Sequence, residues 1–587
     1  MNNSNYIAVN STSAAQPTTS GRFAILFDSV LALLITVLCS LRVYKDLGKP
    51  ALTGIDDENI TQTYGQNLAH GFGYVYTPNY EHVEGATSPL WVAFHYLFYK
   101  ITAQPEPFIL ICSAVLTALA IYWGLGVARL ISDSMKLPRW ALWIPVLAIA
   151  AQPNYFHWTV VTMMDQGLWG TLFLGLMYVL VRESSTARVS LLGIALCVFS
   201  VLARPEAMLL MPAMLAIAAI IVAVNRGVGT AVRYAVPYFA AVFVTLAGLT
   251  AFRLHYFGYP FPNTYYAKVS SNPMDNIVQG VHYIIGFLHS NILIVPCVLA
   301  AVLAVLIGVQ SLWSSIKSKT PLSSTHSIML LVGGTIATTV AILVLEGGDH
   351  FPGFRMLQPY VPLLAAALLF YVPLLGDWSK LSVNRATGLA WSAGIVIATI
   401  VASYSAFAAS NKGLKEDFSL AVEGRKMGEL LNELKDEHPA DVGVLPAGGI
   451  AVTYKGRVAD LLGLNWVEMA HASGRRTGMV GHSSFNMDVF WKHPPELMLP
   501  QLVGHGSPPL LEKQTPANFE LWVLHGLMNQ PQFRREYSPV MIHGDAGDVF
   551  AYARQSFVDR HQGDSRVEVM AWERFRDAPP ESSNAAH

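Results

Sequence analysis

The sequence predicts an α-helical polytopic membrane protein of about 11 transmembrane helices with a soluble α/β domain at its C-terminal end. Three observations lead there. Of 587 residues, 53% are hydrophobic and only 13% are charged, where an ordinary globular chain carries about 25% charged residues. Apolar runs long enough to cross about 30 Å of hydrocarbon recur as far as residue 410. From Asn411 onward the composition turns mixed polar and charged, with no run of spanning length. The balance of 38 Lys+Arg against 39 Asp+Glu gives no electrostatic footprint for nucleic acid, which is excluded as a partner.

In chain order, residues 1–22 are polar and rich in Ser, Thr and Asn, and are expected to be cytoplasmic. The run 23–43 is a first span, uncleaved because no small-residue cleavage site follows it. A long outer loop occupies 44–106. Further runs lie at 107–131, 140–153, 163–181, 188–203, 206–224, 234–256, 291–312, 327–345, 357–375 and 388–409. The membrane domain is therefore 23–410 and the soluble domain 411–587. Cys39, Cys112, Cys197 and Cys297 all sit inside apolar runs, so they build no disulfide or metal framework.

The aromatic run 88–101 (SPLWVAFHYLFYKI) could cross the membrane or lie along it. Parity decides. If it does not cross, Arg129, Lys136, Arg139, Arg182, Arg188, Arg226, Arg233, Lys317, Lys319, Lys380 and Arg385 share the side of the N-terminus, as the positive-inside rule asks. Arg42, Lys45 and Lys49 run against that pattern. The soluble domain is then extracytoplasmic. The acids between 107 and 410 sort by side too: Asp133, Glu183 and Asp377 within, Asp165, Glu206, Asp275, Glu346 and Asp349 outside. Carboxylates at membrane depth are costly and tend to mark function, so any chemistry faces outward.

Several outer-face clusters are candidates. In the loop 55–91, Asp56 and Asp57, with Glu58 beside them, suit a general base, since neighbouring carboxylates raise one another's pKa. The same acids equally fit a solvated turn or the N-cap of a helix from about Glu58 to His70. The turn 346–355 (EGGDHFPGFR) brings Asp349, His350 and Arg355 together, where an arginine near a histidine suits a phosphate or sugar; a structural Asp–Arg tie between two spans is the alternative. In the loop 256–268 (YFGYPFPNTYYAK) most rings read as interfacial packing, and Lys268 as a phosphate contact. Arg204 stands beside Glu206 at an outer turn, where pairing with Glu206 or Asp165 competes with ligand contact.

These residues, in this order, resemble the GT-C superfamily of membrane glycosyltransferases that use polyprenyl-phosphate sugars. The closest likeness is to the branch of bacterial arabinofuranosyltransferases of the cell envelope and type IV pilins. That branch reads D-D-A-[YF]-I, R-N-L-A-x-G-x-G-L-V-[FY]-N and V-E-G-[YF]-T-S-P-L-W. This chain has Asp56-Asp57-Glu58-Asn59-Ile60, Asn67-Leu68-Ala69-His70-Gly71-Phe72-Gly73 and Val83-Glu84-Gly85-Ala86-Thr87-Ser88-Pro89-Leu90-Trp91. Pro262-Asn263-Thr264-Tyr265-Tyr266-Ala267-Lys268 is similar to the family's P-N-T-x-Y-A-K, and Gly347-Gly348-Asp349 with Arg355 to its G-G-D-x-x-x-x-x-R loop. In the tail, Asp460-Leu461-Leu462-Gly463-Leu464 and Gly481-His482 resemble the family's outer-domain D-x-x-G-L and G-H. Glu58-Asn59 departs from the usual A-Y, so Asp57-Glu58 also resembles the D-E pair of the mannosyl and aminoarabinose branches.

The resemblance implies a GT-C fold in a bacterial plasma membrane. It implies transfer of a sugar, D-arabinofuranose by the nearest branch, from a donor such as decaprenyl- or undecaprenyl-phospho-arabinofuranose to a hydroxyl of a cell-envelope glycan or pilin. Mannosyl or aminoarabinosyl transfer is the alternative within the superfamily, and a lipid-linked sugar transporter or flippase the alternative outside it. The site it implies has Asp57 as base with Asp56 as runner-up. Lys268, Arg355, His350, Asp349, Arg204 and Tyr265 contact the donor phosphate or sugar, and Glu84, Asp165, Glu206 and Asn263 support them or meet the acceptor. Asp165 stands where the family often carries a glutamate. Cationic side chains could meet the leaving phosphate with no metal ligand assigned; a divalent ion held by the acids is the other solution.

Overall fold

Helix α1 (Thr19–Asp46) is the first apolar helix, and the outer loop after it folds into α2 (Asp56–His70) and α3 (Pro89–Ile101). The structure is a computed structural model describing residues 19–268, 273–290, 293–375, 385–472, 484–499, 523–545 and 547–572, and the side chains of these except 19–24, 374–375 and 385–396. Asp377, Lys380, the side chain of Arg385 and the Gly481-His482 pair lie outside what it describes. At 13 residues, α3 is about 20 Å long and too short to span about 30 Å of hydrocarbon. Ser88 starts it by accepting the Trp91 N–H, with Pro89 at the first helical position, where a missing N–H costs nothing.

The chain continues through α4 (Glu106–Met135), α5 (Gln166–Thr186), α6 (Leu191–Ala203), α7 (Ala207–Arg226), α8 (Val228–Tyr256), α9 (Asn263–Lys268), α10 (Pro273–Ser290), α11 (Ile294–Ser318) and α12 (Ser324–Glu346). Seven helices among the described residues are long and apolar enough to cross a membrane: α1, α4, α7, α8, α11, α12 and the stretch Arg355–Pro373. An eighth is broken, because Pro153–Val161 and α5 meet at 109°. Of the remaining runs expected to span, those at 140–153 and 188–203 correspond to the shorter apolar helices Arg139–Ala150 and α6, and that at 388–409 lies within the 26-residue helix Arg385–Ser410. Among the described residues the count is thus seven, or eight with the broken pair, and about 11 is reached by adding Arg385–Ser410 and the two short helices. Apolar helices of that length suit burial against neighbours as well as crossing. Helices come close where side chains are absent: a Cβ at Gly167 would lie 2.8 Å from the Thr159 carbonyl, and one at Gly333 2.6 Å from Val305 N.

The outer domain begins with α13 (Lys412–Glu433). Its six-stranded sheet comprises β1 (Val442–Val444), β2 (Val458–Asp460), β3 (Leu497–Met498), β4 (Tyr537–Gly544), β5 (Gly547–Arg554) and β6 (Val567–Val569), in the order β2-β1-β3-β5-β4-β6. β1 runs parallel to β2 and β3, while β3, β5, β4 and β6 pair antiparallel. Between β1 and β2 lies the short helix α14 (Gly449–Thr453). Gly424 and Gly428 let α13 lie directly on α14, where added Cβ atoms would approach Ile450 N to 2.8 Å and Thr453 Oγ1 to 2.3 Å.

The two domains are fastened by named contacts. Arg425 of α13 donates to Asn59 at 2.7 Å, to Gln62 at 2.8 Å and to Glu106 at 2.6 Å, joining the outer domain to α2 and to the start of α4. Asp460, at the end of β2, accepts the N–H groups of Leu462 and Asn465 and the Asn465 amide, bending 460–465 into a turn with Gly463 at φ 81°. That turn offers the carbonyls of Gly463 and Leu464 to the Asn263 amide at 2.8 and 3.0 Å. It also offers Asn465 Oδ1 to the Tyr64 hydroxyl at 3.0 Å. The D-x-x-G-L segment is therefore the receptor for the first loop and for α9.

Candidate active site

The three acids at the start of α2 have three different surroundings. Their shared position in the first turn suits the positive end of the helix dipole, but only one side chain is left to a cavity with little internal engagement. The Asp56 carboxylate accepts the N–H groups of Gly448 at 2.9 Å and Gly449 at 2.7 Å. It thereby caps α14 of the outer domain instead of its own helix. Glu58 is fully buried, with Oε1 2.6 Å from His95 Nε2 and Oε2 accepting the Trp91 indole N–H at 3.3 Å. Gly65 makes that reach possible, since a Cβ there would lie 2.4 Å from that of His95. Burial pushes Asp56 up to about 6 and Glu58 up to about 7, against the pull of Gly449 and Gly448 on the first and of His95 on the second.

Asp57 faces a cavity of about 420 Å³ enclosed by the outer loops, α7, α12 and the 346–355 turn. Its Oδ2 accepts one hydrogen bond, 3.3 Å long, from Arg355 Nη1. Across the same cavity stand Lys268, Arg204, Asp165, Glu206, Glu346, Asp349 and Tyr265. Arg204 is largely engaged: it donates through Nε to Glu206 at 3.0 Å and through Nη1 to both oxygens of Asp165, at 3.3 and 3.2 Å. The break before α5, with Met163 at φ 63°, carries Asp165 to the helix start from which it meets Arg204. Arg355 lies over the Phe351 ring at 4.3 Å, and its Nε is 2.7 Å from Asp349 Oδ2. The N–H there does not point at the oxygen, so this is an ion pair without a formed hydrogen bond, and both atoms keep donor and acceptor capacity. Burial alone would raise Asp349, but Arg355, His350 and Lys268 outweigh it and hold the carboxyl well below its usual range.

Lys268 has no ion-pair partner within 4.0 Å among the described residues. Burial pulls its ammonium below the ordinary lysine range, while Asp57 pulls the other way. The cavity rim is apolar and open: Met208, Leu209, Leu345, Phe261 and Tyr265 all line it and are 40–57% exposed.

Four residues expected at the site are placed otherwise. Asp56 belongs to the seam just described. Glu84 is buried in a bidentate pair with Arg253 of α8, at 2.8 and 2.9 Å, and does not line the cavity. Asn263 spends its amide on the outer-domain turn. His350 backs Asp349, 3.4 Å away, with its ring against Phe351, outside the cavity lining. The structure brings together Asp57, Lys268, Arg355, Arg204, Asp349, Asp165, Glu206 and Tyr265. Residues that reading the sequence passed over are His95, Arg253, Arg425 and the Gly448-Gly449 pair; adjacent glycines opening a short helix were the one available signal. No group of three or more His, Cys, Asp or Glu side chains among the described residues is arranged to hold a metal ion.

No family model matches the chain, and no curated protein matches it. Among solved structures, the chain is similar to the archaeal oligosaccharyltransferase AglB from Archaeoglobus fulgidus in complex with an inhibitory peptide and a dolichol-phosphate. The TM-score is 0.46 at 12% sequence identity, over 94% of this chain and 76% of that one. The peptide and the dolichol-phosphate are ligands of the archaeal enzyme.

Proposed function

We propose that this protein is a GT-C-type membrane glycosyltransferase that moves a glycosyl group from a polyprenyl monophosphate to an acceptor hydroxyl at the outer face of the membrane. The observation that carries the reading is one cavity holding a lightly engaged carboxylate, Asp57, and a cation, Lys268, with no ion-pair partner among the described residues, behind a rim of exposed apolar side chains. The acid suits a base, the cation a phosphate, and the rim a lipid chain lying in hydrocarbon.

In the step this reading assigns, the acceptor oxygen attacks the anomeric carbon while Asp57 takes the hydroxyl proton. The bond from that carbon to the phosphate oxygen breaks, and its electron pair leaves on the lipid phosphate. Lys268, and the N–H groups of Arg355 and Arg204 not committed to carboxylates, meet that charge. Arg355 also holds the Asp57 carboxylate, so the base and the phosphate contact are positioned together. Asp165, Glu206 and Asp349 set the two arginines. Tyr265 offers a ring to the sugar or to the lipid. The outer domain docks the acceptor, a glycan or pilin. The sequence resemblance favours D-arabinofuranose as the transferred sugar.

The test is transfer of label from a panel of undecaprenyl-phosphate sugars, arabinofuranose, mannose and aminoarabinose among them, to glycan and pilin acceptors by purified protein in detergent. Transfer from one donor, lost in Asp57→Asn, is the expected result. No transfer from any donor overturns the reading.

A further inference from the structure

Every carboxyl lining the cavity has a partner inside the protein, with one exception. Glu58 is held by His95, Asp165 and Glu206 by Arg204, and Asp57 and Asp349 by Arg355. Glu346, the last residue of α12, makes no hydrogen bond or ion pair among the described residues, and its Oε2 is buried without a partner. Gly347 ends the helix directly after it at φ 90°, donating its N–H to the Leu343 carbonyl, so the closing turn fixes where the Glu346 side chain leaves the backbone. Buried polar atoms in folded proteins are paired as a rule. An orphan oxygen on a cavity wall marks where a ligand atom completes the pair.

The chemistry of that ligand atom follows from the corner it must enter. Arg204 and Glu206 are the charged groups facing Glu346 there, and they are already paired with each other. A phosphate would meet two carboxyls in this corner and is better served by Lys268. A hydroxyl can donate to an ionised carboxylate and accept from a protonated one, so it satisfies Glu346 in either state. Resting on the glycosyltransferase reading above, we propose that Glu346 is a sugar-hydroxyl contact of the cavity, a specificity-determining residue placed apart from the Asp57 and Lys268 pair. The hydroxyl belongs to the glycosyl group of the lipid donor or to an acceptor sugar.

The experiment measures binding of undecaprenyl phosphate and of undecaprenyl-phosphate arabinofuranose to the full-length protein and to Glu346→Leu and Glu346→Gln, with the acceptor KM measured alongside. Glu346→Leu is expected to weaken binding of the glycosylated lipid by about tenfold, the worth of one hydrogen bond to a carboxylate. Binding of the bare lipid phosphate should stay within about twofold, and Glu346→Gln, which keeps an acceptor oxygen, should fall between. That outcome assigns the hydroxyl to the donor. A rise of about tenfold in acceptor KM with donor binding unchanged assigns it to the acceptor and supports the same contact. Equal weakening of both lipids, or no change in any of the three quantities, overturns the proposal while leaving the reading above intact. If the unsubstituted protein binds neither lipid, the reading itself fails and this contact with it. Should the leucine variant not fold, the glutamine variant alone gives the same comparison.

Discussion

Three adjacent acids, Asp56, Asp57 and Glu58, look interchangeable along the chain and are not. Asp56 lies against two peptide N–H groups and Glu58 against an imidazole and an indole, while among the described residues Asp57 meets the far end of one arginine. A carboxylate receiving two peptide N–H groups in a buried seam contributes stability through both bonds. Removing half of that interaction costs about 1–3 kcal/mol. Asp56→Asn, which keeps one acceptor oxygen and puts an amide donor against the other N–H, is therefore expected to lower the thermal unfolding midpoint by several degrees and to leave measurable transfer. An unchanged midpoint with transfer abolished would show that Asp56 acts in the chemistry instead.

At the scale of elements, α2 is a lever held at one end by the outer domain. Gly448 touches it so closely that an added Cβ would lie 1.8 Å from the Asp56 carbonyl oxygen, well inside any real contact. The backbone at Gly448 has φ −82°, which any residue adopts, so the effect of a substitution is steric and not conformational. Gly448→Ala must push α14 off the start of α2, loosening Asp56 and shifting Asp57 beside it. A displacement of about 1 Å at a reacting group can cost about 100-fold in rate. We expect a loss of that order, with increased proteolysis at the seam; wild-type rate and proteolysis would mean that the contact is not maintained. The broken helix before α5 and the 346–355 turn show the same economy: Met163 and Phe354 take positive φ, at 63° and 56°, on either side of the cavity, and strained backbone of that kind gathers at functional sites.

For the molecule as a whole, the interface between membrane and outer domains is rich in buried carboxyls that favour their protons. Burial raises Asp56 and Asp460 to about 6, and Asp417 of α13 to about 8 with further help from Asp57 and Asp56. Asp417 Oδ2 is buried with no partner among the described residues. Acids with raised folded-state pKa bind protons more tightly folded than unfolded, so their contribution is fully present below the unfolded carboxylate range and is lost as pH rises through 6 to 8. The unfolding midpoint should accordingly fall as pH is raised from about 5 to 9. Asp417→Asn should flatten the upper part of that fall and raise the midpoint near pH 8.5 by about 2–4 °C. A midpoint independent of pH, or an identical slope in the variant, would remove these carboxyls from the balance.

What could be read from the chain divides along the same lines. The charge deficit, the apolar runs and the change of composition at Asn411 announced a polytopic membrane domain and a separate tail, because transfer of whole segments into hydrocarbon depends on composition alone. Two runs, 140–153 and 188–203, proved short, since the length of an apolar stretch does not say whether its helix ends or bends, as the chain does at Thr162–Asp165. Asp57, Lys268, Arg204 and Arg355, which line one cavity, were legible as candidates because they are charged residues in a region poor in charge. The division of labour within 56–58 was not legible, because the partners that set it apart, His95 and the Gly448-Gly449 pair, lie 37 and 392 residues further along. Glu84 and Asn263 carry motif positions yet tie loops to α8 and to the outer domain, a role that only the folded seam discloses.

The most direct measurement is the initial rate of glycosyl transfer from undecaprenyl-phosphate arabinofuranose by Asp57→Asn and Asp56→Asn, compared at a temperature where both remain folded. With Asp57 as the base, its asparagine variant loses at least about 100-fold in rate, whereas Asp56→Asn retains most of it. Full activity in Asp57→Asn, or equal loss in both variants, contradicts the assignment.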